Sequence, residues 1–427
     1  MLAEILLPII VGAVILACLS VPLYIIVFLA TFYLQIFVND VPLAAIYQGA
    51  VESLSKISLM AVPYFVFAGA LIQHSSLGQR LIVVFAVTLR NVRAGLALAC
   101  LLSFGFFGAI SGSPPATVAA LGKLIYKPLE KAHGEKTALG LMTSSGTLSS
   151  IIPPSIPMIL FCVATESNVA KLFEAGIIPG LLTILVIGLY LFIKGGRSSA
   201  EVITEEGVEL PSLGKALYQG IPVIVLPVLI LGSIYAGVCT PTEAGALAAF
   251  YSFVVPLFIL RDVKFKAMPG ILVDSIKVTA QVFILVTATI AFAQAITMAQ
   301  LPRMLTDALS GMGWVEFLIF LNIVLLIAGC FFDPGSAILI LAPLLLPTCR
   351  ALGIDPIHMG IIFTFNLSIG FFTPPIGLSI FVVQSVLKKP AGLIIRSVIP
   401  YLFLYLFVMA LVTYIPELSL SFSRLIH

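Results

Sequence analysis

Hydroxyl and amide oxygens crowd two short stretches of this chain, each placed just ahead of a Pro-Pro pair. Ser144, Ser145, Gly146, Thr147, Ser149 and Ser150 precede Pro153-Pro154, while Asn366, Ser368, Gly370 and Thr373 precede Pro374-Pro375. Paired prolines interrupt a helix, because each lacks the N–H that the ladder needs and its ring clashes with the preceding turn. The carbonyls freed at such a break need partners. A hard monovalent cation held by carbonyl and hydroxyl oxygens would provide one, with residues 146–152 and 367–373 as the candidate unwound stretches. Where a helix restarts after each pair, with the prolines in its first turn, free N–H donors and a partial positive charge suit a carboxylate. The chemistry expected is reversible binding of a cation and an organic acid.

Each break follows an apolar, hairpin-like stretch with a Gly-Ser tip. The first copy reads SFGFFGAISGSPPATVAALG and then TSSGTLSSIIPPSIPMILF; the second reads GCFFDPGSAILILAPLLLP and then FNLSIGFFTPPIGLSIF. From Gly112 to Pro153 is 41 residues and from Gly335 to Pro374 is 39, a spacing kept although the copies share few identities. A single Pro or Gly in a membrane helix often only kinks it. Two matched pairs with matched hairpins instead indicate an internal duplication of broken membrane helices, whose corresponding interruptions mark a binding site. No Lys or Arg lies inside either hairpin or broken stretch, so an anion would be held by dipoles, hydroxyls and co-bound cations. Gly112, Ser150 and Pro154 in one copy, and Asn366, Ser368 and Pro375 in the other, are the candidate substrate contacts.

Asp333 is the one charge within residues 317–349. A carboxylate at membrane depth is costly and signals function, as cation ligand or proton carrier; Asp-Pro-Gly-Ser is equally a good turn and helix cap. Glu243, in Thr-Pro-Thr-Glu, reads as a first-turn acid facing an N-cap. His358 and the other three histidines have no ligand spacing, and the six cysteines are scattered without a CxxC, as small packing residues would be.

The elements that must position these residues are membrane helices. With 60% apolar residues, 10% charged and a mean hydropathy of +1.19, the chain has no soluble domain of useful size and reads as an all-α polytopic membrane protein. The net charge of +3 forms no visible nucleic-acid patch. The start, MLAEILLPII, lacks a basic n-region and is expected to be an uncleaved span. Uncharged stretches at 5–38, 57–78, 137–165, 176–193, 216–242, 244–260, 278–301, 357–387 and 397–416 approach or meet the length of a spanning helix. The expected organisation is a first inverted repeat over 1–195 (hairpin 94–122, broken helix 137–165), a cytoplasmic linker over 196–215 and a connecting span over 216–242. A second repeat then fills 243–427 (hairpin 317–349, broken helix 357–387). If neither hairpin crosses, 17 of the 22 Lys and Arg residues fall on one side, which the positive-inside rule makes cytoplasmic. The first hairpin then enters from the cytoplasm and the second from the far face, with Asn39-Asp40 and residues 166–174 periplasmic.

Six ordered blocks, AISGSPPATVAALG, SGTLSSIIPPSIPMI, IYAGVCTPTEAGA, GCFFDPGSAILILAP, GIDPIHMGI and FFTPPIGLSIFV, resemble those of the large membrane subunit of tripartite ATP-independent periplasmic (TRAP) transporters over nearly the whole chain. The resemblance leans to the sialic-acid importers, with C4-dicarboxylate members next. It implies an inner-membrane secondary transporter of the elevator type that uses a Na⁺ gradient, fed by a periplasmic substrate-binding protein and paired with a small four-helix membrane subunit. With no amphipathic segment ahead of Met1, that subunit is expected as a separate chain. By motif position the resemblance places one Na⁺ site at Ser103, Ser111, Ser113, Gly146, Ser149 and Pro153, and another at Asp333, Gly335, Ser336, Gly370, Thr373 and Pro374. Some members carry Glu where this chain has Asp333.

A proton-coupled or binding-protein-independent anion carrier of related architecture is the alternative within transport. An intramembrane hydrolase using Ser111 or Ser113 is the alternative outside it, but such a nucleophile needs a base in reach and no His accompanies these serines. No GxxxxGK[ST] phosphate loop occurs in the chain, so ATP is not the expected driving force.

Overall fold

The computed structural model describes residues 2–39, 48, 51, 54–195, 211–309 and 311–426. Its described residues form helices and turns, with no strand among them. Among the described residues eight helices are long and apolar enough to cross a membrane, or nine if Ile57–Gln73 and Leu77–Thr88, bent by 70°, count as one span. Lipid offers no hydrogen bonds, so backbone groups must be satisfied within each helix or buried in protein.

Local sequence sets several helix starts. Asn168 accepts from Lys171 N to open Val169–Lys194, and Asp355 accepts from Ile357 N and His358 N to open Pro356–Gly370. Thr240 and Glu243 form the expected reciprocal cap on Pro241–Val254, with Thr240 N donating to Glu243 Oε2 at 2.8 Å and Glu243 N to Thr240 Oγ1 at 3.3 Å. Two expectations change. The stretch 5–38 is two helices, Leu2–Cys18 and Leu23–Leu34, separated by a turn in which Ser20 has φ 59°. Most of the linker, 196–210, lies outside the described residues, and its described end already belongs to the connecting helix Leu213–Tyr235.

The first hairpin consists of Gly95–Ser111 and Pro114–His133, joined at Gly112-Ser113; the second consists of Trp314–Phe331 and Pro334–Ala351, joined at Phe332-Asp333. Each leading arm lies on the broken helix of its own repeat through a glycine. A Cβ on Gly108 would sit 2.8 Å from Ser149 Cα, and one on Gly370 would sit 2.5 Å from Gly329 Cα. Both contacting pairs are 41 residues apart, and so are Gly112 and Pro153, and Asp333 and Pro374. The structural register of the duplication is therefore tighter than the 41 and 39 counted from the Gly-Ser motifs.

Trailing arms pack across the repeats. Pro114–His133 of the first hairpin lies against Leu378–Leu387, the last piece of the second broken helix, while Pro334–Ala351 lies against Ile156–Thr165, the last piece of the first. Both arms of the second hairpin are individually long and apolar enough to span a membrane, yet Gly335 at the tip end of its trailing arm approaches Leu160, in the half-helix beyond the first break.

Candidate functional site

The first broken helix runs as Glu135–Ser145, a turn at Gly146-Thr147, the short helix Leu148–Ile151, a break over 152–155 and Ile156–Thr165. The second runs as Pro356–Gly370, a break over 371–377 and Leu378–Leu387. The unwound stretches expected at 146–152 and 367–373 are thus mostly helical, and each break falls a few residues later. Pro153-Pro154 and Pro374-Pro375, both joined by cis bonds, lie within the breaks rather than in the first turn of the restarting helices. A proline cannot donate to the ladder, so the helix ends before the pair and resumes two or three residues after it.

The break carbonyls are not all free. Ser155 Oγ donates to Ser150 O at 2.8 Å across the first break, and Ser379 N donates to Phe371 O at 2.9 Å across the second. Most of the crowded hydroxyls also bond back to their own helix, as Ser and Thr do inside helices. Ser103 donates to Ala99 O, Ser149 to Gly146 O, Ser368 to Thr364 O and Thr373 to Ile369 O. Ser111 Oγ pairs with Thr117 Oγ1 at 2.7 Å, and Thr117 donates to Ser113 O at 3.0 Å. Thr117, which sequence reasoning missed, thereby braces the first tip, where Gly112 takes φ 59°.

Four buried oxygens in these two helices have no hydrogen-bond partner among the described residues: Ser145 Oγ and Ser150 Oγ in the first, Asn366 Oδ1 and Ser379 Oγ in the second. Buried polar atoms are nearly always paired, so this set marks where a ligand or ordered water would be bound. Ser145 and Asn366 both stand eight residues ahead of a Pro-Pro pair. Asn366 uses its Nδ2 on Asn322 Oδ1 (2.7 Å) and Ile362 O (2.8 Å). Asn322 also receives Thr413 Oγ1 at 3.4 Å, tying the second hairpin to the last span. Ser379 is the second residue after the break, and its partner Phe371 at the start of the break is brought beside it only in three dimensions.

At the second tip Asp333 caps Pro334–Ala351, accepting from Ser336 N at 3.0 Å and from Ser336 Oγ. Its side chain is exposed, whereas Gly335 and Ser336 are buried. Pro153 and Pro154 are buried, Pro374 is half-buried and Pro375 exposed. Gly146 lets the first hairpin's trailing arm approach, since a Cβ there would meet Val118 Cγ2 at 2.6 Å. His358 is a satisfied buried histidine, paired with Ser419 Oγ and Thr413 O at 3.2 Å each.

Residues 10–418 match the family model described as tripartite ATP-independent periplasmic transporter, DctM component. The chain is similar to the C4-dicarboxylate TRAP transporter large permease protein DctM of Pseudomonas aeruginosa, 39% identical and covering 87% of each chain. It is similar also to the 2,3-diketo-L-gulonate TRAP transporter large permease protein YiaN of Escherichia coli, 34% identical over 91% of this chain and 90% of that one. Among solved structures, the YdaH transporter of Alcanivorax borkumensis shares the fold, with a TM-score of 0.60 over 87% of this chain and 88% of that one at 14% identity.

Proposed function

The chain belongs to the tripartite ATP-independent periplasmic transporter family as its DctM component, a multi-pass inner-membrane permease and not an enzyme, and from that premise we propose that it imports an organic acid anion in symport with Na⁺. The observation that carries this reading is the set of four buried, unpartnered oxygens divided equally between the two broken helices. Neutral hydroxyl and amide oxygens suit a hard monovalent cation, which with the half-helix starts at Ile156 and Leu378 would favour a carboxylate beside it. Ser150 and Ser379 flank the breaks and are the first candidates for direct contact. Ser103, Ser149, Ser368 and Thr373 spend their hydroxyl protons on carbonyls of their own helices, which leaves their oxygen lone pairs for a cation but no donor for a carboxylate.

A periplasmic substrate-binding protein delivers the substrate, and a small membrane subunit completes the permease. The hairpins and broken helices pack on one another across the repeats, which supports their moving together as one body, in an elevator motion, against helices such as Ala61–Gln73 and Pro241–Val254. The Pseudomonas relative's name favours a C4-dicarboxylate; sialic acid, to which the sequence blocks lean, is the second candidate.

Uptake of labelled succinate and of labelled sialic acid into liposomes holding the permease and its small subunit tests the proposal, with and without a Na⁺ gradient and the soluble binding protein. Uptake should require both. Full uptake driven by a proton gradient in Na⁺-free buffer would sink the Na⁺ reading. Topology is tested by single-cysteine labelling: the exposed Lys127 position should react only from the cytoplasm.

A further inference from the structure

The final span, Ala391–Tyr414, belongs to the second half of the chain but runs along Glu135–Ser145 of the first broken helix. Contact there is backbone to backbone, since a Cβ on Gly140 would lie 2.1 Å from Ser397 O. Tyr401 Oη reaches Thr137 O at 3.4 Å one turn away. Such a contact leaves little play, so side chains further along this span are held in fixed register with the first broken helix.

Tyr405 occupies that register. Its ring and hydroxyl are fully buried, at 0% exposure. Tyr405 Oη donates to Ser144 O at 2.9 Å. The ring meets Phe372, inside the second break, edge-on at 5.0 Å between centroids, and Phe365 at 6.4 Å. Ser144 adjoins Ser145, Phe365 adjoins Asn366, and Phe372 follows Phe371, whose carbonyl Ser379 N holds. One rigid side chain therefore touches the immediate neighbours of unpartnered oxygens in both repeats. Ser144 O already receives Thr147 N at 3.2 Å and Thr147 Oγ1 at 2.6 Å, three donors on a carbonyl with two lone pairs. A shift of the turn before the first break must therefore move the phenol or lose it. The residue 221 positions earlier, Ile184, packs beside Gly105 and has no hydrogen-bonding side chain, so it cannot repeat the strap in the first copy.

We propose that Tyr405 is a positioning residue that couples the two breaks, so that a cation bound at one raises the affinity of the other. The inference rests on the Na⁺ reading above. Coupling of this kind is reciprocal: whichever break fills first favours the second. The phenol links to the first broken helix, at the turn ahead of its break, by a hydrogen bond and to the second break by aromatic packing, so the two links can be cut separately.

Initial uptake rate against Na⁺ concentration, in liposomes holding the complete permease with its binding protein, reads the coupling. Wild type should give a sigmoidal curve with a Hill coefficient approaching about 2 for two coupled sites. Tyr405→Phe keeps the ring and cuts the hydrogen bond; Phe372→Leu keeps the bond and cuts the packing. Both should lower the Hill coefficient towards 1 and raise the half-saturating Na⁺ concentration several-fold, with a smaller loss of maximal rate. A merely structural role would lower the amount of folded protein or the maximal rate and leave the curve's shape alone. Sigmoidal curves of wild-type steepness for both variants would overturn the coupling. A hyperbolic wild-type curve would also overturn it while leaving Na⁺ dependence intact, whereas Na⁺-independent uptake by the wild type would overturn both readings.

Discussion

In the first hairpin 14 of the 17 residues of the leading arm Gly95–Ser111 are buried, whereas in the second only six of the 18 residues of Trp314–Phe331 are. The same contrast continues at the tips and breaks. Gly112, Pro153 and Pro154 are enclosed; Asp333 and Pro375 are exposed. On the side where Pro114–His133 packs on the second repeat, Lys389 lies 2.6 Å from Glu135 Oε1 and 3.7 Å from Glu130 Oε1, over the Tyr126 ring at 5.4 Å. Tyr126 Oη donates to Glu130 Oε1 at 2.8 Å. The matching joint between Pro334–Ala351 and Ile156–Thr165 has no ion pair among the described residues. What the two copies share is backbone geometry: a glycine of the leading arm, Gly108 or Gly329, lies on the broken helix 41 residues later. What they do not share is surroundings, and those decide which copy has room to move.

The harshest way to break this comparison is to put a methyl group into each glycine contact. Gly108→Ala drives a Cβ to 2.8 Å from Ser149 Cα inside a walled-in arm, and Gly370→Ala drives one to 2.5 Å from Gly329 Cα under an arm that can be displaced. Overpacking costs roughly 1–3 kcal/mol where neighbours cannot yield. Gly108→Ala should therefore lower the thermal unfolding midpoint of the purified complex by several degrees, and Gly370→Ala should abolish uptake with less loss of stability. Equal destabilisation by both would erase the distinction between the hairpins.

A smaller effect is expected at the second tip. Asp333→Ala removes the cap on Ser336 N, worth about 1 kcal/mol at a typical N-cap, and should raise the Na⁺ concentration needed for half-maximal uptake. Asp333→Asn keeps the shape and the cap and should fall between Ala and wild type. A wild-type Na⁺ curve for well-folded Asp333→Ala would take the carboxylate out of the site. If Asn matches wild type at every Na⁺ concentration, Asp333 is a cap alone.

The mildest change is Lys389→Met, which should make the first hairpin's outer joint resemble the second's. Partly exposed pairs contribute little and are screened by salt, so the loss of uptake should be modest and fade at high ionic strength. The Glu135 hydrogen bond holds the Lys389 ammonium above its ordinary value of 10.5. The pair's contribution is present below that ordinary value and lost only as pH rises through the raised one. The difference between Lys389→Met and wild type should therefore be flat, as far as Lys389 is concerned, from about pH 6 to 9. Uptake at graded salt and pH checks both statements.

The class of the protein, the breaks and the Thr240–Glu243 cap could be read from residue types, since each follows from local composition or spacing. Which oxygens remain available could not. Sequence shows Ser103, Ser149, Ser368 and Thr373 as hydroxyls, but whether each turns back to its own helix depends on rotamers and neighbours. Ser379 and Tyr405 gave no signal for the same reason: their partners, Phe371 across a break and Ser144 at 261 residues' distance, are brought near only by tertiary packing. The division of residues 5–38 into two helices is carried by Ser20-Val21-Pro22, where the proline ends one helix and opens the next, a signal that a search for uncharged stretches passes over.

The crossed arms also impose an order on how the chain is made. Ile156–Thr165 finds its packing partner in Pro334–Ala351, which is synthesised some 170 residues later, a wait of roughly 10 to 30 s at common elongation rates. Until then the end of the first broken helix has only its neighbours within the first half, Val169–Lys194, Ile57–Met60 and Ala61–Gln73, and the face that Pro334–Ala351 will cover stays open to lipid. Assembly of this protein therefore ends with a closing step late in translation, and a ribosome that stalls between the halves leaves behind a fragment whose broken helix keeps one face uncovered.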